Sequence, residues 1–395
     1  MTAPRLVVDA RAPEASGLGR YLRESLVALS QTGRFEEIVL VGPAAALQPT
    51  VARMSGTVRV RHVPWRRHDL RVPLGWRRRV DGLPGDMVTW FPHWDGAWRG
   101  PWQEVESAPR RRPVTTLHDL ILLERGGVSA ALVAAWMRRM IRASRALVTG
   151  TEESRAAFAG RFPEVADQIV VIPHGVAPAC LAAGAAAEGG QRTGVPPVAA
   201  VHGGAVGVGA IAGASSAAPY LLCVGTKRPH KRFEVAIEAF AHLAAESPTL
   251  RLRLVGERTA HAARLHALAA RLGVAGRLDD LEGLDEATLA ACYAGADAVL
   301  VCSRAEGFGR VPLEAMAAGV PVVATRHPTT REVVGTAAAL VAEDDAAAMA
   351  AVVRAWGRDG AARAATVQAG LAHARRFTWA RSAGALADVL LPAGA

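Results

Sequence analysis

Short apolar runs alternate with amphipathic stretches along most of the chain. Arg5 to Asp9 (RLVVD), Glu37 to Gly42 (EIVLVG), Met87 to Trp90, Val114 to His118, Ala146 to Thr149 and Ile169 to Ile172 read as strands. A helical pattern from about Gly17 to Ser30 follows the first strand. After Pro178 the pattern breaks. Ala, Gly, Val and Pro dominate from Ala182 to about Pro219, which reads as a loop or linker because so few side chains there can pack. Strands resume at Tyr220 (YLLCVG), Arg251 to Val255, Ala298 to Cys302 and Val320 to Ala324. Helices are expected over Phe233 to Ala245, Ala260 to Leu272, Val311 to Ala318 and Arg381 to Leu390. Strands spaced by helices predict parallel sheets covered on both faces, in two α/β units with a ligand cleft at their strands' carboxyl ends.

Composition narrows the class. A chain of 395 residues is too long for one ordinary core, which supports two domains. Hydrophobic residues make up 51% and charged residues 21%, a balance that excludes a disordered chain. Cys180, Cys223, Cys292 and Cys302 are far apart and form no CxxC pair, so neither a disulfide scaffold nor a Cys-rich zinc site is expected. No run has the length and hydrophobicity of a membrane span, and Met1 to Val8 lacks the layout of a signal peptide. The expected location is the cytoplasm. The net charge is +10, carried by arginine except at Lys227 and Lys231. That surplus suits an anionic membrane surface or a phosphorylated substrate. No zinc-finger spacing, basic heptad or paired aromatic RNA-binding strand accompanies it, so nucleic acid is not an expected partner.

The most informative stretch is Ala305-Glu306-Gly307-Phe308-Gly309-Arg310-Val311-Pro312-Leu313-Glu314-Ala315-Met316, which follows an apolar strand. Pro312 suits the first turn of a helix, and Glu314 is expected in that turn. Gly307 and Gly309 let backbone amides approach a ligand, and a helix N-terminus favours phosphate. Glu306 before the helix and Glu314 within it can reach two parts of one extended ligand. Carboxylates accept hydrogen bonds from sugar hydroxyls at about 1.5–3 kcal/mol each. The same residues also fit a glycine loop with one capping and one surface carboxylate.

The segment resembles the signature of the retaining, GT-B-fold glycosyltransferases of family 4 (glycosyltransferase group 1, mannosyltransferase-like), with two glutamates separated by seven residues. Other segments carry the likeness across the chain. They are Asp9-Ala10-Arg11, Ser16-Gly17-Leu18-Gly19-Arg20-Tyr21, Leu117-His118-Asp119-Leu120, Val171-Ile172-Pro173-His174-Gly175-Val176 and Val224-Gly225-Thr226 with Lys231 beyond. Gly319 to Ala324, Glu332 to Gly335 and Phe377-Thr378-Trp379 continue it. The resemblance implies an α/β protein of GT-B fold, two Rossmann-like domains facing each other across a cleft. Its expected boundaries are an acceptor-side domain over 1–180, an Ala/Gly-rich linker or insert over 181–218, a nucleotide-sugar domain over 219–375 and a helix over 376–395 crossing back to the first domain.

The resemblance also assigns roles. Lys231 contacts the donor diphosphate. The family's supporting arginine is replaced by Thr226, and Arg228 is the candidate substitute, although a basic turn in solvent fits Arg228 as well. Gly17 and Gly19 offer amides to phosphate, and Arg20 orients phosphate or acceptor. His118 lies over the donor sugar. Glu306 holds sugar hydroxyls, Glu314 holds the ribose, and Gly307, Phe308 and Gly309 line the pocket. Arg310 departs from the family's apolar residue and faces either an anionic group or solvent. The catalytic set is therefore His118, Glu306 and Lys231. No Asp-x-Asp pair ends a strand; Asp279-Asp280 and Asp344-Asp345 read as turn or surface acids, and the resemblance implies no obligatory metal or cofactor. On the acceptor side, Trp90 to Trp98 holds His93, Trp94 and Asp95, where indoles can stack on sugars or merely pack. Arg66-Arg67, Arg77 to Arg79 and Arg138-Arg139 can meet an anionic membrane, at the inner face, or only solvent.

The implied activity is transfer of a hexose from a nucleotide sugar to a glycan, a lipid-linked glycan or a small-molecule hydroxyl. GDP-mannose is the favoured donor, with UDP- or dTDP-sugars as alternatives. A nucleotide-sugar epimerase or hydrolase of related fold, and a degenerate nucleotide- or carbohydrate-binding protein, remain competing classes. The 182–218 stretch has few groups for phosphate or sugar recognition. Shortening it while keeping its reach should leave donor affinity and transfer rate largely intact; a loss above roughly 100-fold in both, with the fold retained, contradicts this.

Overall fold

The computed structural model describes residues 4–11, 17–65, 69, 76, 87–96, 112–124, 127–188 and 218–391. The chain divides into two compact units. One runs to Gly175 and includes the residues from Phe377 on; the other is Val176–Arg376.

In the first unit, β1 (Arg5–Asp9), β2 (Glu37–Gly42), β3 (Thr57–His62), β4 (Met87–Phe91), β5 (Val114–Thr116), β6 (Ala146–Thr149) and β7 (Ile169–Val171) form a sheet. Their order is β3-β2-β1-β4-β5-β6-β7, parallel throughout, with Val7 opposite Val39 on one side and Thr89 on the other. β1 and β2 are buried on both faces, which explains their unbroken apolar runs. β3 is an edge strand with half-exposed, alternating residues (TVRVRH), so no apolar run announces it.

The first helix, Gly17–Gln31, buries Tyr21, Leu22, Leu26 and Leu29. The last helix, Trp379–Leu390, buries Trp379, Ala383, Leu386, Ala387 and Leu390, a single helical stripe. Both stripes pack with Leu6, Val8 and Trp90 in one core. The last helix starts two residues before the expected Arg381 because Thr378 caps it, accepting from the Arg381 amide. Arg145 closes its other end by donating to the Val389 and Leu390 carbonyls at 2.9 and 2.7 Å.

In the second unit, β8 (Tyr220–Val224), β9 (Arg251–Val255), β10 (Leu278–Leu281), β11 (Ala298–Val301), β12 (Val322–Thr325) and β13 (Ala339–Val341) form a second sheet. It is also parallel, in the order β10-β9-β8-β11-β12-β13. Leu221, Leu252, Leu254, Leu300 and Val323 pack against Phe233, Ile237, Phe240 and Leu265 from its helices.

The chain leaves the first unit at Gly175, five residues before the boundary drawn at 180. The expected linker also begins later, because Pro178–Glu188 is a helix. Its small residues form a close-packed face. A Cβ at Gly184 would stand 1.9 Å from the Ala317 carbonyl oxygen of the helix Arg310–Ala317. Composition alone cannot separate such a face from a loop. Residues 182–188, packed in that helix, are therefore not free to be shortened as expected, and the rest of the expected linker, 189–217, lies outside the described residues.

Gly184→Ala should therefore destabilise the second unit by about 1–3 kcal/mol, since a methyl there meets backbone and not a flexible side chain. Urea unfolding followed by circular dichroism checks it; an unchanged midpoint would mean the two helices separate at no cost.

Candidate functional site

In each sheet the winding direction reverses between two neighbours, β1 and β4 in the first unit and β8 and β11 in the second. Loops leaving such a pair diverge, and their residues gather at the carboxyl edge.

In the second unit, β8 runs out into Gly225, at φ +149°, and then into Thr226, Lys227 and Arg228 before a single turn over Pro229–Lys231. The two lysines of this loop point to different tasks. Lys227 is fully buried; its ammonium pairs with Asp280 at 2.8 Å and donates to the carbonyls of Gly256 and Leu281. Lys231 reaches the loop after β11, where its Nζ donates to Glu306 Oε1 at 2.6 Å. Both side chains are mostly buried. Burial alone would raise the Glu306 carboxyl, but the Lys231 charge and hydrogen bond, aided by Ser303 and His230, hold it below its ordinary value. Arg304 N donates to the His230 carbonyl at 2.9 Å, so the β8 and β11 loops are also joined through backbone.

Beyond Glu306 the chain turns through half-buried Gly307 and buried Phe308 to Gly309. Gly309 sits at φ +83° at the head of the helix Arg310–Ala317, a conformation that favours glycine. The helix starts at Arg310, so Glu314 lies in its second turn and not the first as expected. Glu314 is buried and accepts a hydrogen bond from Tyr293 Oη at 3.0 Å. Arg228 is exposed and Thr226 half-buried.

Asp279 and Asp280 do not lie in a turn or at the surface. They belong to β10, and both side chains are nearly inaccessible. Asp279 takes Arg251 at 2.6 Å and Arg253 at 3.3 Å; Asp280 takes Lys227, His266 at 2.7 Å and Arg258 at 3.2 Å. Burial opposes the charge on Asp280, yet the Lys227 and His266 hydrogen bonds leave its carboxyl below its ordinary value. Asp344 does occupy a turn, at φ +60°, where it pairs with Arg232 and Arg304. Asp345 caps the helix Ala346–Arg358.

In the first unit, Asp9 at the end of β1 holds Arg11 through two bonds of 2.7 and 2.6 Å. Arg11 in turn donates to the Asp95 carbonyl at 3.1 Å, in the loop after β4. There His93 Nδ1 lies 2.8 Å from Asp95 Oδ1. His118, just past β5, donates from Nε2 to the Pro92 carbonyl at 2.8 Å and stacks on His93, with centroids 6.0 Å apart. Tyr21 stands edge-on to His118 at 4.8 Å and near His174 at 4.5 Å, while His174 stacks on Trp379. Burial pushes the Tyr21 phenol up to about 12. Gly17 is exposed, Gly19 buried and Arg20 half-buried, all in the first turn of their helix.

Trp94 was a stacking candidate for acceptor sugar, and its position overturns that. The ring is 2% exposed, packed with Leu117, Met137 and Phe158 in a core cluster. The Asp95 side chain is also buried and engaged by His93. The structure thus brings Lys231 together with Glu306, and His93 with Asp95 and His118. It adds Arg11, Tyr21, His174, Trp379, Lys227 and Tyr293, to which no role had been attached. An acid and a base two positions apart at a strand end, Asp9 and Arg11, was the signal available for one of these. Arg66-Arg67, Arg77 to Arg79 and Trp98 lie outside the described residues. Among the described residues no cluster of three or more His, Cys, Asp or Glu could hold a metal ion, and no helix is long and apolar enough to cross a membrane.

Comparison with known proteins covers both units. The sequence profile of Glycosyltransferase Family 4 matches residues 15–180, and that of the glycosyl transferases group 1 matches residues 211–373. The chain is 31% identical over 284 residues to a D-inositol 3-phosphate glycosyltransferase of Acidothermus cellulolyticus, covering 67% of this chain and 58% of that protein. It is 28% identical over 405 residues to the protein of that name from Xylanimonas cellulosilytica, covering 95% and 91%. Other such relatives are matched over about half their length or less, 53% in one from Stackebrandtia nassauensis and 43% in one from Catenulispora acidiphila. A crystal structure of Anabaena HepE in complex with UDP and glucose superposes with a TM-score of 0.69 at 18% identity, covering 98% and 99% of the two chains.

Lys227→Met should leave Asp280 buried beside fewer countercharges and cost the second unit about 3–5 kcal/mol. Removing both charges in Lys227→Leu/Asp280→Leu should recover most of that loss. Urea denaturation of the single and double variants gives the comparison, and a double variant as unstable as the single one would contradict the pairing.

Proposed function

Given that the chain belongs to the group 1 glycosyl transferases of Glycosyltransferase Family 4, with the GT-B fold, we propose that it moves a hexose from a nucleoside-diphosphate sugar to a hydroxyl, with retention at the anomeric carbon. The observation that carries this reading is the meeting of Lys231 and Glu306 at the β8/β11 reversal. It sets a phosphate-binding cation beside a hydroxyl-binding carboxylate, and buried Glu314 follows on the next helix. A nucleotide sugar presents ribose, diphosphate and hexose in that order, which suits Glu314, Lys231 and Glu306 in turn. Thr226, Arg228 and the backbone at Gly307, Phe308 and Gly309 complete the donor contacts. Breaking the anomeric bond throws negative charge onto the diphosphate, and Lys231 is the group that meets it. Gly17, Gly19, Arg20, His93 and His118 take phosphate, sugar and acceptor contacts on the first unit.

For the acceptor, the relatives' name points to a phosphorylated polyol, and the arginine surplus of this chain suits such an anion. GDP-mannose remains the favoured donor, with UDP-glucose as the alternative that the HepE complexes bring forward.

Incubation with GDP-mannose, UDP-glucose and dTDP-glucose, each with inositol phosphates and a glycan mixture, tests the proposal. Intact mass should show one added hexose, and proton NMR should show the donor's anomeric configuration kept. Nucleotide release without any acceptor dependence would instead indicate a hydrolase. Lys231→Ala should weaken binding of both nucleoside diphosphate and its sugar conjugate roughly 10- to 150-fold while sparing free nucleoside. Glu314→Gln should weaken all three. Calorimetric titration distinguishes them, and equal losses for all ligands in Lys231→Ala would remove its phosphate role.

A further inference from the structure

The Lys231–Glu306 contact joins two groups that the proposed function assigns to different parts of the donor. They are 75 residues apart in sequence and meet only through the fold. With no ligand bound, each neutralises the other. The side chains are 17% and 12% exposed, so water does little to screen the pair. The loops that carry them are also joined and shaped through backbone. Arg304 N donates to the His230 carbonyl at 2.9 Å, and Lys231 N donates to the Arg228 carbonyl at 3.0 Å. Behind them, Lys227 ties the β8 loop to the ends of β9 and β10. Exchange of partners between side chains then needs no backbone change.

We propose that this ion pair makes the site discriminate between a nucleoside-diphosphate hexose and the bare nucleoside diphosphate that it becomes. The inference rests on the donor reading given above. A diphosphate that recruits Lys231 takes the countercharge away from Glu306. The bare diphosphate offers nothing in return, and a mostly buried carboxylate is left without its cation. A diphosphate carrying a hexose brings hydroxyl donors to the same carboxylate, so the exchange is balanced. Glu306 thus weakens the product complex and spares the donor complex. Loss of the hexose to the acceptor restores the pull of Glu306 on Lys231 and favours departure of the nucleotide. A site selected only for tight diphosphate binding would gain nothing from a carboxylate against its lysine.

The consequence runs in an unusual direction: removing a donor-binding carboxylate should improve binding of the product. Calorimetry with GDP and GDP-mannose, and with UDP and UDP-glucose, identifies the pair the parent binds more tightly. For that pair, Glu306→Gln should bind the bare diphosphate about tenfold more tightly, near the low end of what releasing one charge-assisted bond would give. Its affinity for the nucleotide sugar should stay level or fall, so the preference for the sugar conjugate collapses. In a Lys231→Met background the same Glu306→Gln change should bring little gain. That arm separates competition for Lys231 from simple repulsion between two anions. Glu306→Ala replaces the amide should Glu306→Gln fail to fold. If the parent binds both ligands and Glu306→Gln binds the diphosphate no better, the discrimination is refuted while the donor reading stands. An equal gain in the Lys231→Met background refutes it too. If the parent binds neither ligand, the donor reading falls and takes this inference with it.

Discussion

Each sheet is parallel along its whole width, and that constraint decides where chemistry can occur. All carboxyl ends of the strands lie on one edge, so polar residues that follow different strands become neighbours there. At the β1/β4 reversal this gathers Asp9, Arg11, His93 and Asp95. At β8/β11 it gathers Lys231 and Glu306. The strands themselves contribute little beyond rigidity. Their runs of Val, Leu and Ala fill two cores, and only β9 and β10 carry charged side chains within the second sheet, at Arg251, Arg253, Asp279 and Asp280.

Holding charge at a largely buried edge needs compensation, and the second unit provides it in layers. Lys227 and Asp280 form one pair beneath the β8 loop, and Asp279 with Arg251 and Arg253 forms another beside it. These ion pairs carry no assigned chemistry. They hold the strand ends against which the Lys231 turn is set, as the hydrogen bond from the Lys227 N–H to the Glu257 carbonyl shows. A lysine on a fixed turn loses less freedom on meeting a ligand than one on a mobile loop. The helix carrying Glu314 is fixed in a similar way, by the close approach of Gly184 to Ala317 and of Gly370 to Met316. Under the proposed function both devices would orient the donor.

Much of this was legible in the residues. Buried strands such as Glu37–Gly42 have the expected bounds because unbroken apolar runs have few other uses. The glutamate-glycine segment read as a loop entering a helix because Glu306 is followed by Gly307, Gly309 and then Pro312, and the helix does begin there, at Arg310. Other features were hidden for physical reasons. Edge strand β3 resembles a polar loop, since half of it faces solvent. Asp279 and Asp280 look like surface acids until their partners, 26 to 28 residues away on β9 in the case of Asp279, are brought beside them. Trp94 looked like a sugar platform because a tryptophan-rich loop has the same composition whether it stacks or packs. The destination of the last helix entered through family resemblance, because its apolar stripe would fit either core.

The most direct test of the account is a crystal structure of the chain with a nucleoside-diphosphate hexose bound and no acceptor present. The account predicts Lys231 Nζ turned from Glu306 onto the diphosphate, Glu306 accepting from a hexose hydroxyl and Glu314 within hydrogen-bonding distance of the ribose, with the β8 and β11 loops unmoved. A donor bound elsewhere, with the Lys231–Glu306 pair intact, would contradict it.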